Sequence, residues 1–316
     1  MGRTLTIDRR GIRLERQDDC LVLRREQDIL AHVPLHGLKR IVLSADTQLS
    51  SGLLAHLASR GIGLIAFGGR HREHVAELFG APHGDARIRV HQALLARDFD
   101  RAQPIAAAIV KLKVRAQRRL VASALERRPD QRKALLDACA TLDRVLIALR
   151  TPPADRDTLL GLEGAASAAY FAAFSTLFPP SLGFNCRRRR PPPDPVNACL
   201  SLGYTLLIHA AARACQIAGL DPAIGFLHAL EHGRPALACD LAEPQRARID
   251  RLVWELFRER RLEEAHFHRR GEACELGKAG RSHFYEAVLP RLEAIERHLL
   301  RQARLLARSF REDASP

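Results

Sequence analysis

The turn-rich stretch GAPHGD, at residues 80–85, separates two parts of the sequence whose apolar residues recur with different periods. Closely spaced glycine and proline residues are typical of a linker. Before this linker, residues 3–44 alternate between apolar and polar in short runs such as CLVLRRE (20–26) and KRIVLS (39–44). A period of two predicts strands, and the turns between the runs favour an antiparallel sheet of hairpins.

Three further elements are predicted between these strands and the linker. A helix begins at Ser50 or Ser51 and ends near Gly61, because serine is a good N-cap and glycine is a common helix terminator. A strand at residues 62–67 and a short strand around HVAELF (74–79) follow it. These elements keep the first part of the chain β-rich.

After the linker the apolar residues recur with the period of 3.6 that is typical of amphipathic helices. The predicted helices span residues 86–97, 101–126, 130–150, 156–177, 195–218, 243–260 and 283–310. The sequence therefore predicts an α+β fold. A β-rich, sandwich-like N-terminal domain occupies residues 1–85, and an all-α C-terminal domain occupies residues 86–316.

The net charge of the chain predicts a polyanionic partner. The formal charge is +14 and the isoelectric point is near 10.3. Of the 50 basic residues 45 are arginines, whose planar guanidinium groups hold phosphate oxygens in pairs. Codon usage in a GC-rich genome accounts for part of the preference for arginine over lysine, but not for the excess of basic over acidic residues. Nucleic acid is favoured over a membrane surface, because no basic amphipathic helix stands apart from the fold.

Cysteine usage and hydropathy indicate the compartment. Seven cysteines without CxxC spacing argue against a disulfide framework and a zinc ribbon, and predict buried thiols in a reducing environment. The most apolar stretch, residues 202–220, is interrupted by His209, Arg213 and Gln216 and is predicted to be a buried helix. No secretory signal pattern is visible at the start of the chain, so a cytoplasmic location is expected.

A single carboxylate, Glu163, lies within the small, apolar stretch GLEGAASAAYF (161–171). On a helix Glu163 shares one face with Ala166, Ser167 and Tyr170. The small neighbours leave room for a ligand or another backbone to approach the carboxylate. The alternative is an ordinary surface glutamate near the start of a helix, where a negative charge suits the helix dipole.

A second chemical cluster lies in GFLHALEHGRPALACDLAE (225–243). His228 stands in apolar surroundings, and Asp240 and Glu243 would face the same way if the chain between them is helical. A neutral imidazole with two or three carboxylates is a mixed nitrogen and oxygen donor set that suits Mg²⁺ or Mn²⁺. Such a site can activate a hydroxyl nucleophile and stabilise the leaving oxygen of a phosphodiester. The alternative for His228 is a hydrogen-bonded core residue.

The stretch FNCRRRRPPPDPVN (184–197) breaks the helical pattern, because its prolines exclude a helix. Asp194 and Pro195 supply an N-cap and a first helical residue for the next helix. The four arginines are predicted to form a DNA-contacting loop, or else a solvated run of charge; they are Arg187, Arg188, Arg189 and Arg190. Tyr170 is a candidate to stack on DNA or to bond near it, with packing between helices as the alternative.

Three motifs in fixed order carry a family resemblance. GLEGAASAAYF, RRPPPDPVNACLSLGYTLL and GFLHALEHGRPALACDLAE, behind a β-rich N-terminal region, resemble the CRISPR-associated endonuclease and integrase that inserts new spacers, the first-numbered Cas protein family. The resemblance covers nearly the whole chain. It implies that Mg²⁺ or Mn²⁺ is held by Glu163, His228 and Glu243, with Asp240 as a further acidic residue of the catalytic site.

The resemblance also implies a reaction and partners. The 3′-hydroxyl of a captured DNA fragment would attack a phosphodiester at a CRISPR repeat, and the same site would cleave DNA or resolve branched DNA. Residues 1–85 would form the dimerisation domain, and residues 86–316 the metal-binding catalytic domain. The partners would be double-stranded, branched and single-strand-ended DNA, a second copy of the chain and a small partner Cas protein.

Two alternative functions remain open at the level of sequence. In the first, the protein is a non-catalytic, basic DNA-binding or assembly protein whose carboxylates and imidazole satisfy internal hydrogen bonds. In the second, the same site serves a structure-specific RNA nuclease. The first predicts that metal changes nothing, and the second is separated by the choice between DNA and RNA substrates.

Overall fold

The structure of the protein, a computed structural model, describes residues 3–68, 74–78, 85–151, 153, 155–189 and 191–312. The chain divides into two units, Met1–Gly84 and Asp85–Pro316. This division falls within the turn-rich linker, of which residues 80–84 lie outside the described part.

Strands dominate the first unit, as the alternation in its sequence predicts. Its elements are β1 (Arg3–Ile7), β2 (Ile12–Gln17), β3 (Cys20–Arg25), β4 (Asp28–Pro34), β5 (Leu38–Leu43), β6 (Thr47–Leu49), α1 (Ser51–Ser59), β7 (Gly63–Gly68) and β8 (His74–Leu78). They form two four-stranded sheets with the orders β1-β5-β7-β8 and β4-β3-β2-β6. As predicted, Ser50 caps α1, and its hydroxyl accepts the backbone N–H of Leu53.

The strand pairing corrects the prediction of an antiparallel sheet of hairpins. Among the described strands of this unit, only the meander β2-β3-β4 and the pair β7-β8 are antiparallel. The pairs β1-β5, β5-β7 and β2-β6 are parallel. Alternation identifies a strand but not its partner, and parallel partners are joined by crossovers such as the one that leads from β5 through β6 and α1 to β7. The fold class is nevertheless confirmed: a β-rich, sandwich-like unit precedes the helices.

The core of the first unit is built from the apolar positions that alternate along its strands. In β2, Ile12 and Leu14 are buried while Arg13 is exposed. Their cluster includes Ile41 of β5 and Leu57 of α1, both fully buried. One core thus joins both sheets and the helix, so a shift of one residue in any strand would expose its apolar face.

Helices make up most of the second unit. Its elements are α2 (Arg87–Arg97), α3 (Phe99–Ala124), α4 (Arg132–Ala148), α5 (Arg156–Ser175), α6 (Pro195–Ala218), α7 (Ala236–Ala242), α8 (Arg246–Arg258), β9 (Phe267–Arg270), β10 (Ala273–Leu276) and α9 (Lys278–Glu312). A 3₁₀ turn, Glu243–Gln245, joins α7 to α8. The antiparallel hairpin β9-β10, which the helical period does not reveal, turns at Gly271, whose φ of 62° favours glycine.

The long helix α6 is the centre of the second unit. Asp194 caps it as predicted, since its Oδ1 accepts the backbone N–H of Asn197 at 2.8 Å and Pro195 occupies the first turn. Gly219 ends the helix in the left-handed conformation with a φ of 87°. By length and composition α6 could cross a membrane, but 72% of its apolar window is buried in this unit. Its apolar residues therefore serve as core, as predicted for residues 202–220.

Two glycines on different helices give matched tests of the packing. A Cβ added at Gly203 of α6 would lie 2.5 Å from Ile249 Cγ2 of α8, whereas one added at Gly164 of α5 meets no described atom within 4 Å outside its own helix backbone. We expect Gly203→Ala to lower the free energy of unfolding by about 1–3 kcal/mol through overpacking. Gly164→Ala should raise it by about 0.5–1 kcal/mol through helix propensity. Urea denaturation followed by circular dichroism measures both, and equal effects would contradict the packing described.

Candidate functional site

Three parts of the second unit meet at Glu163. Asp155 starts α5 by accepting the backbone N–H of Thr158 at 2.7 Å, which places Glu163 two turns into the helix. As the sequence predicts, Ser167 lies on the same face, and its hydroxyl donates to Glu163 Oε1 at 2.9 Å. The helix α3 and the α7–α8 junction supply the other groups at this point. The alternative of a solvated surface glutamate is not what the structure shows, because the Glu163 side chain is only 23% exposed.

The ammonium group of Lys113, on α3, joins Glu163 to Glu243. Lys113 Nζ donates to Glu163 Oε1 and lies 2.8 Å from Glu243 Oε2. The Glu243 side chain is 4% exposed, and its other oxygen lies 3.1 Å from Arg246 Nε. Burial alone would raise the pKa of Glu243, but Arg246 and Lys113 outweigh burial and lower the pKa to about 2. Glu243 is therefore a carboxylate at neutral pH.

Asp240 holds His228 in place. Its Oδ2 accepts the backbone N–H groups of Phe226 at 2.7 Å and Leu227 at 3.0 Å, and its Oδ1 accepts that of His228 at 3.1 Å. The carboxylate is fully buried. The chain can wrap it this closely because residue 225 is glycine: a Cβ there would lie 2.8 Å from Asp240 Oδ2.

The contact between Asp240 and the imidazole decides which nitrogen of His228 is free. His228 Nδ1 lies 2.5 Å from Asp240 Oδ1, so Nδ1 carries the proton and donates it to the carboxylate. In the neutral imidazole His228 Nε2 then keeps its lone pair, and it lies 3.9 Å from Glu243 Oε1. A carboxylate behind an imidazole in this way is the usual support for a metal-binding histidine.

These contacts join Glu163 and Glu243 through Lys113 and place His228 Nε2 beside Glu243. Within the described ranges, no three histidine, cysteine, aspartate or glutamate side chains are already arranged to hold a metal ion. The donor set nevertheless fits one, because the two glutamates converge on a cation, the Lys113 ammonium, and His228 Nε2 stands beside them. The oxygens of Asp240 are already used by N–H donors. The geometry therefore favours Glu243 over Asp240 as the third ligand.

A cavity of about 270 Å³ adjoins this position, and its charged walls suit a phosphate group. Its lining residues include Lys113, Gln117, Glu163, Ser167, Arg187, Arg189, Tyr204, Glu243 and Arg246. Gln117 is 5% exposed. Its Oε1 is buried without a hydrogen-bond partner in the part of the chain that the structure describes. An unpaired buried acceptor is costly, so this wall of the cavity has a place for a donor.

The predicted DNA contact of Tyr170 is wrong. Its side chain is fully buried, and its hydroxyl donates to Asp250 Oδ2 at 2.6 Å. Tyr204 of α6 donates to the other oxygen of Asp250 at 2.5 Å, and the Arg246 guanidinium stacks on the Tyr204 ring at 4.5 Å. Tyr170 therefore belongs to a buried network that supports Arg246, because the i+7 position on its helix faces the core and not the ligand.

The arginine loop is only partly available to DNA. Arg187 folds inward, and its guanidinium donates to Asn197 Oδ1 at 2.8 Å and to Ser201 Oγ at 3.1 Å. Burial lowers the pKa of Arg187. This corrects the prediction for Arg187, which is neither part of an exposed DNA-contacting loop nor a solvated charge, since it braces the loop against α6. Arg188 and Arg189 are exposed, and Arg190 lies outside the described residues.

Three charged residues of the site were not predicted from the sequence: Lys113, Arg246 and Asp250. Arg246 follows Glu243 at i+3, a spacing that could have indicated an ion pair. Asp250 follows Arg246 by one helical turn. Lys113 could have been singled out because lysine is rare in this chain, which has five lysines and 45 arginines.

Comparison with known proteins identifies relatives of the chain. The family model for CRISPR associated protein Cas1 matches residues 5–289. The CRISPR-associated endonuclease Cas1 1 of Thermodesulfovibrio yellowstonii is 34% identical over 284 residues, which cover 89% of each chain.

Solved structures share the fold. A chain of a Cas6-RT-Cas1–Cas2 complex superposes with a TM-score of 0.83 at 22% identity, over 99% of this chain and 35% of that one. A casposase bound to integration product gives a TM-score of 0.80 at 18% identity, over 98% of this chain and 91% of that one. The strand-rich unit followed by helices is thus the architecture of known proteins.

The buried carboxyl group of Asp250 predicts a specific pH dependence of stability. Burial raises its pKa to about 6 from the ordinary value of 3.8, although the two phenols and Arg246 oppose this. A raised pKa favours the protonated folded state, so the contribution of Asp250 is present below about pH 4 and is lost as the pH rises through 6. The loss amounts to roughly 3 kcal/mol at about 1.4 kcal/mol per pKa unit.

The variant Asp250→Asn removes this titration while preserving the shape of the side chain. We expect the free energy of unfolding of the wild type to fall relative to that of Asp250→Asn between pH 4 and pH 7. Urea titrations of both proteins at half-unit pH steps measure the difference, in which other titrating groups cancel. Parallel curves for the two proteins would contradict the assignment.

Proposed function

The chain belongs to the Cas1 family of CRISPR-associated proteins, and we propose that it is a divalent-metal-dependent DNA endonuclease and integrase that inserts spacer DNA into a repeat array. One observation carries this proposal. Two carboxylates from separate elements share one cation, the Lys113 ammonium group, beside a basic cavity of about 270 Å³, and an oriented imidazole lies 3.9 Å from the second carboxylate. The endonuclease named among the relatives and the shared fold of the casposase agree with it.

Glu163, Glu243 and His228 Nε2 are the groups that would hold Mg²⁺ or Mn²⁺. Carboxylate oxygens and imidazole nitrogen suit both ions. When bound, such an ion stabilises the charge that develops on the phosphodiester oxygens and makes a hydroxyl more acidic. The low pKa of Glu243 keeps this ligand charged over the whole range in which DNA is stable.

The protein's own residues have the task of orientation. Asp240 fixes the tautomer of His228 and keeps the Nε2 lone pair turned toward Glu243. Arg189, which is exposed and lines the cavity, can hold a phosphate oxygen. Arg246 lies in the same wall, paired with Glu243 and stacked on Tyr204.

The proposed reaction is a transesterification. The 3′-hydroxyl oxygen of the incoming DNA forms a bond to phosphorus as the bond to the 3′-oxygen of the repeat strand breaks. That oxygen leaves with a proton, and the number of phosphodiester bonds is unchanged. Water in place of the hydroxyl gives cleavage, and the reverse reaction resolves branched DNA. No covalent protein intermediate is required.

The proposed partners follow from charge and from the family. A net charge of +14 suits double-stranded DNA with branches or single-stranded ends. We further propose a homodimer formed through the first unit and a complex with a small partner Cas protein, in line with the Cas1–Cas2 complex that shares the fold. The expected location is the cytoplasm, where the DNA is.

Removing a proposed ligand should abolish cleavage while leaving DNA binding intact. We expect Glu163→Gln and His228→Ala to lower the rate of Mn²⁺-dependent cleavage of branched DNA by at least about 100-fold. The dissociation constant for the same DNA should stay within about threefold, because the basic surface is untouched. His232→Ala is the matched control, since His232 is exposed four residues from His228 and should keep full activity.

The outcome of this assay separates the candidate functions. Cleavage that persists in Glu163→Gln would show that the activity arises elsewhere. Steeply salt-dependent DNA binding in the wild type, with no cleavage under Mg²⁺ or Mn²⁺, would instead support the non-catalytic assembly protein. A preference for RNA over DNA of the same branched shape would support the RNA nuclease.

Asp240 should act on metal affinity through His228. In Asp240→Asn the new amide can turn its N–H toward Nδ1, which moves the imidazole proton to Nε2 and removes the free lone pair. We expect Mn²⁺ affinity to fall by about 10- to 100-fold, as for other supports of metal-binding histidines. Isothermal titration of DNA-free protein with Mn²⁺ measures it. Unchanged affinity would mean that Asp240 supports the fold alone.

A further inference from the structure

Lys113 is the cation that both carboxylates of the proposed metal centre share. Its ammonium group contacts Glu163 on one side and lies 2.8 Å from Glu243 on the other, and its side chain is 12% exposed. Glu163 and Glu243 are 50 and 130 residues distant in sequence, so this is a tertiary contact and not a local ion pair. In the structure the ammonium stands between the two carboxylates, where a bound metal ion would be held.

Residue 113 is a lysine and not an arginine, which supports a role that depends on the size and charge of its head group. The chain uses arginine at 45 of its 50 basic positions, and Lys39, Lys133 and Lys278 are exposed. A compact ammonium group can donate to two carboxylates that approach from different elements, whereas the flat guanidinium fork suits one carboxylate at a time. A small cation is therefore what this position accepts.

A divalent ion and the ammonium group cannot share the position. Both need the oxygens of Glu163 and Glu243, and their like charges repel strongly in a partly buried site. Without any cation, two carboxylates held this close would repel each other. Lys113 removes that penalty while metal is absent, so metal binding is an exchange of one cation for another.

The structure also provides a place for the displaced ammonium group. Gln117 follows Lys113 by four residues on α3, and residues at this spacing face the same way. Both side chains line the 270 Å³ cavity. Among the described residues Gln117 Oε1 is a buried acceptor without a hydrogen-bond partner, so it can accept from the lysine.

We propose that Lys113 is the resident counter-ion of the site, that a divalent metal displaces it, and that its ammonium group then moves to Gln117. This inference rests on the proposed function, because it assumes that metal binds at Glu163 and Glu243. The exchange weakens metal binding and keeps the metal-free site neutral and folded. It also leaves a cation in the cavity where the phosphate of the substrate would lie.

The first test uses the wild-type protein and its few lysines. Limited acylation followed by mass spectrometry gives the relative reactivity of each lysine with and without saturating Mn²⁺. We expect Mn²⁺ to raise the rate at Lys113 at least about threefold, because the amine exchanges two charged carboxylate partners for one neutral amide acceptor, which holds it less strongly. Lys39, Lys133 and Lys278 are the internal controls and should not change. An unchanged or slower reaction at Lys113, with Mn²⁺ bound, would overturn the proposal.

The second test measures Mn²⁺ affinity in variants by electron paramagnetic resonance of DNA-free protein. We expect Lys113→Met to bind Mn²⁺ at least about tenfold more tightly, because no ammonium group competes. Lys111→Gln, on the same helix but two residues away and so on another face, should bind as the wild type does. Equal or weaker binding by Lys113→Met would show that the lysine does not compete with metal.

A double variant tests the proposed destination. Gln117→Leu should weaken Mn²⁺ binding a few-fold in the wild-type background, because the displaced ammonium group loses its acceptor. It should have no effect in the Lys113→Met background, where nothing is displaced. An equal effect in both backgrounds would place Gln117 outside the exchange.

The proposed metal centre and the proposed exchange at Lys113 would be contradicted by different results. If Glu163→Gln leaves Mn²⁺ affinity at the wild-type value, or if the wild type binds no Mn²⁺, the metal centre itself is wrong and the exchange with it. If Mn²⁺ binds through Glu163 while the reactivity of Lys113 stays unchanged, only the exchange is wrong. Because acylation needs no substitution, this distinction holds even if Lys113→Met does not fold.

Discussion

The repulsion between two carboxylates, the partly exposed Glu163 and the buried Glu243, is the constraint on which the site depends. They come from different elements, and only a cation between them makes their approach tolerable. Lys113 supplies that cation from a third element, so α3, α5 and the junction of α7 and α8 are tied together at one point. Ion pairs of this kind add little net stability compared with apolar packing, but they specify one arrangement and are costly to leave half complete.

Around this point the acidic groups of the site differ in what they are bound to, and this gives them different roles. Asp240 is saturated by backbone N–H groups and the imidazole, so it orients His228. Asp250 accepts two phenols in the core and supports the wall that carries Arg246. Glu163 and Glu243 instead share the Lys113 ammonium group, a partner that another cation can replace. All four side chains are carboxylates. The two whose partner can be exchanged are suited to bind a metal ion, and the other two support the structure.

The sequence predicts what depends on local pattern and misses what depends on partner choice. The helices follow from a period of 3.6, and the cap at Asp194 follows from the residue types before α6. The parallel strand pairs were not predicted, because the alternation of apolar and polar residues along a strand does not show which strand lies beside it. The proposed ligand residues were identified through motifs, but Lys113 lies in none of them and meets the site only in three dimensions. The prediction for Tyr170 was wrong because Tyr170 shares a helix face with Glu163, and the sequence does not show which end of that face is buried.

The central claim is that Glu163, His228 and Glu243 converge on one divalent cation. Anomalous diffraction from crystals soaked in Mn²⁺ tests it most directly. The account predicts one strong peak about 2 Å from a carboxylate oxygen of each glutamate and from His228 Nε2, with the Lys113 ammonium group moved away and Asp240 still bound to Nδ1. A peak ligated by Asp240 instead, or Mn²⁺ bound elsewhere with Lys113 still between the glutamates, would contradict it.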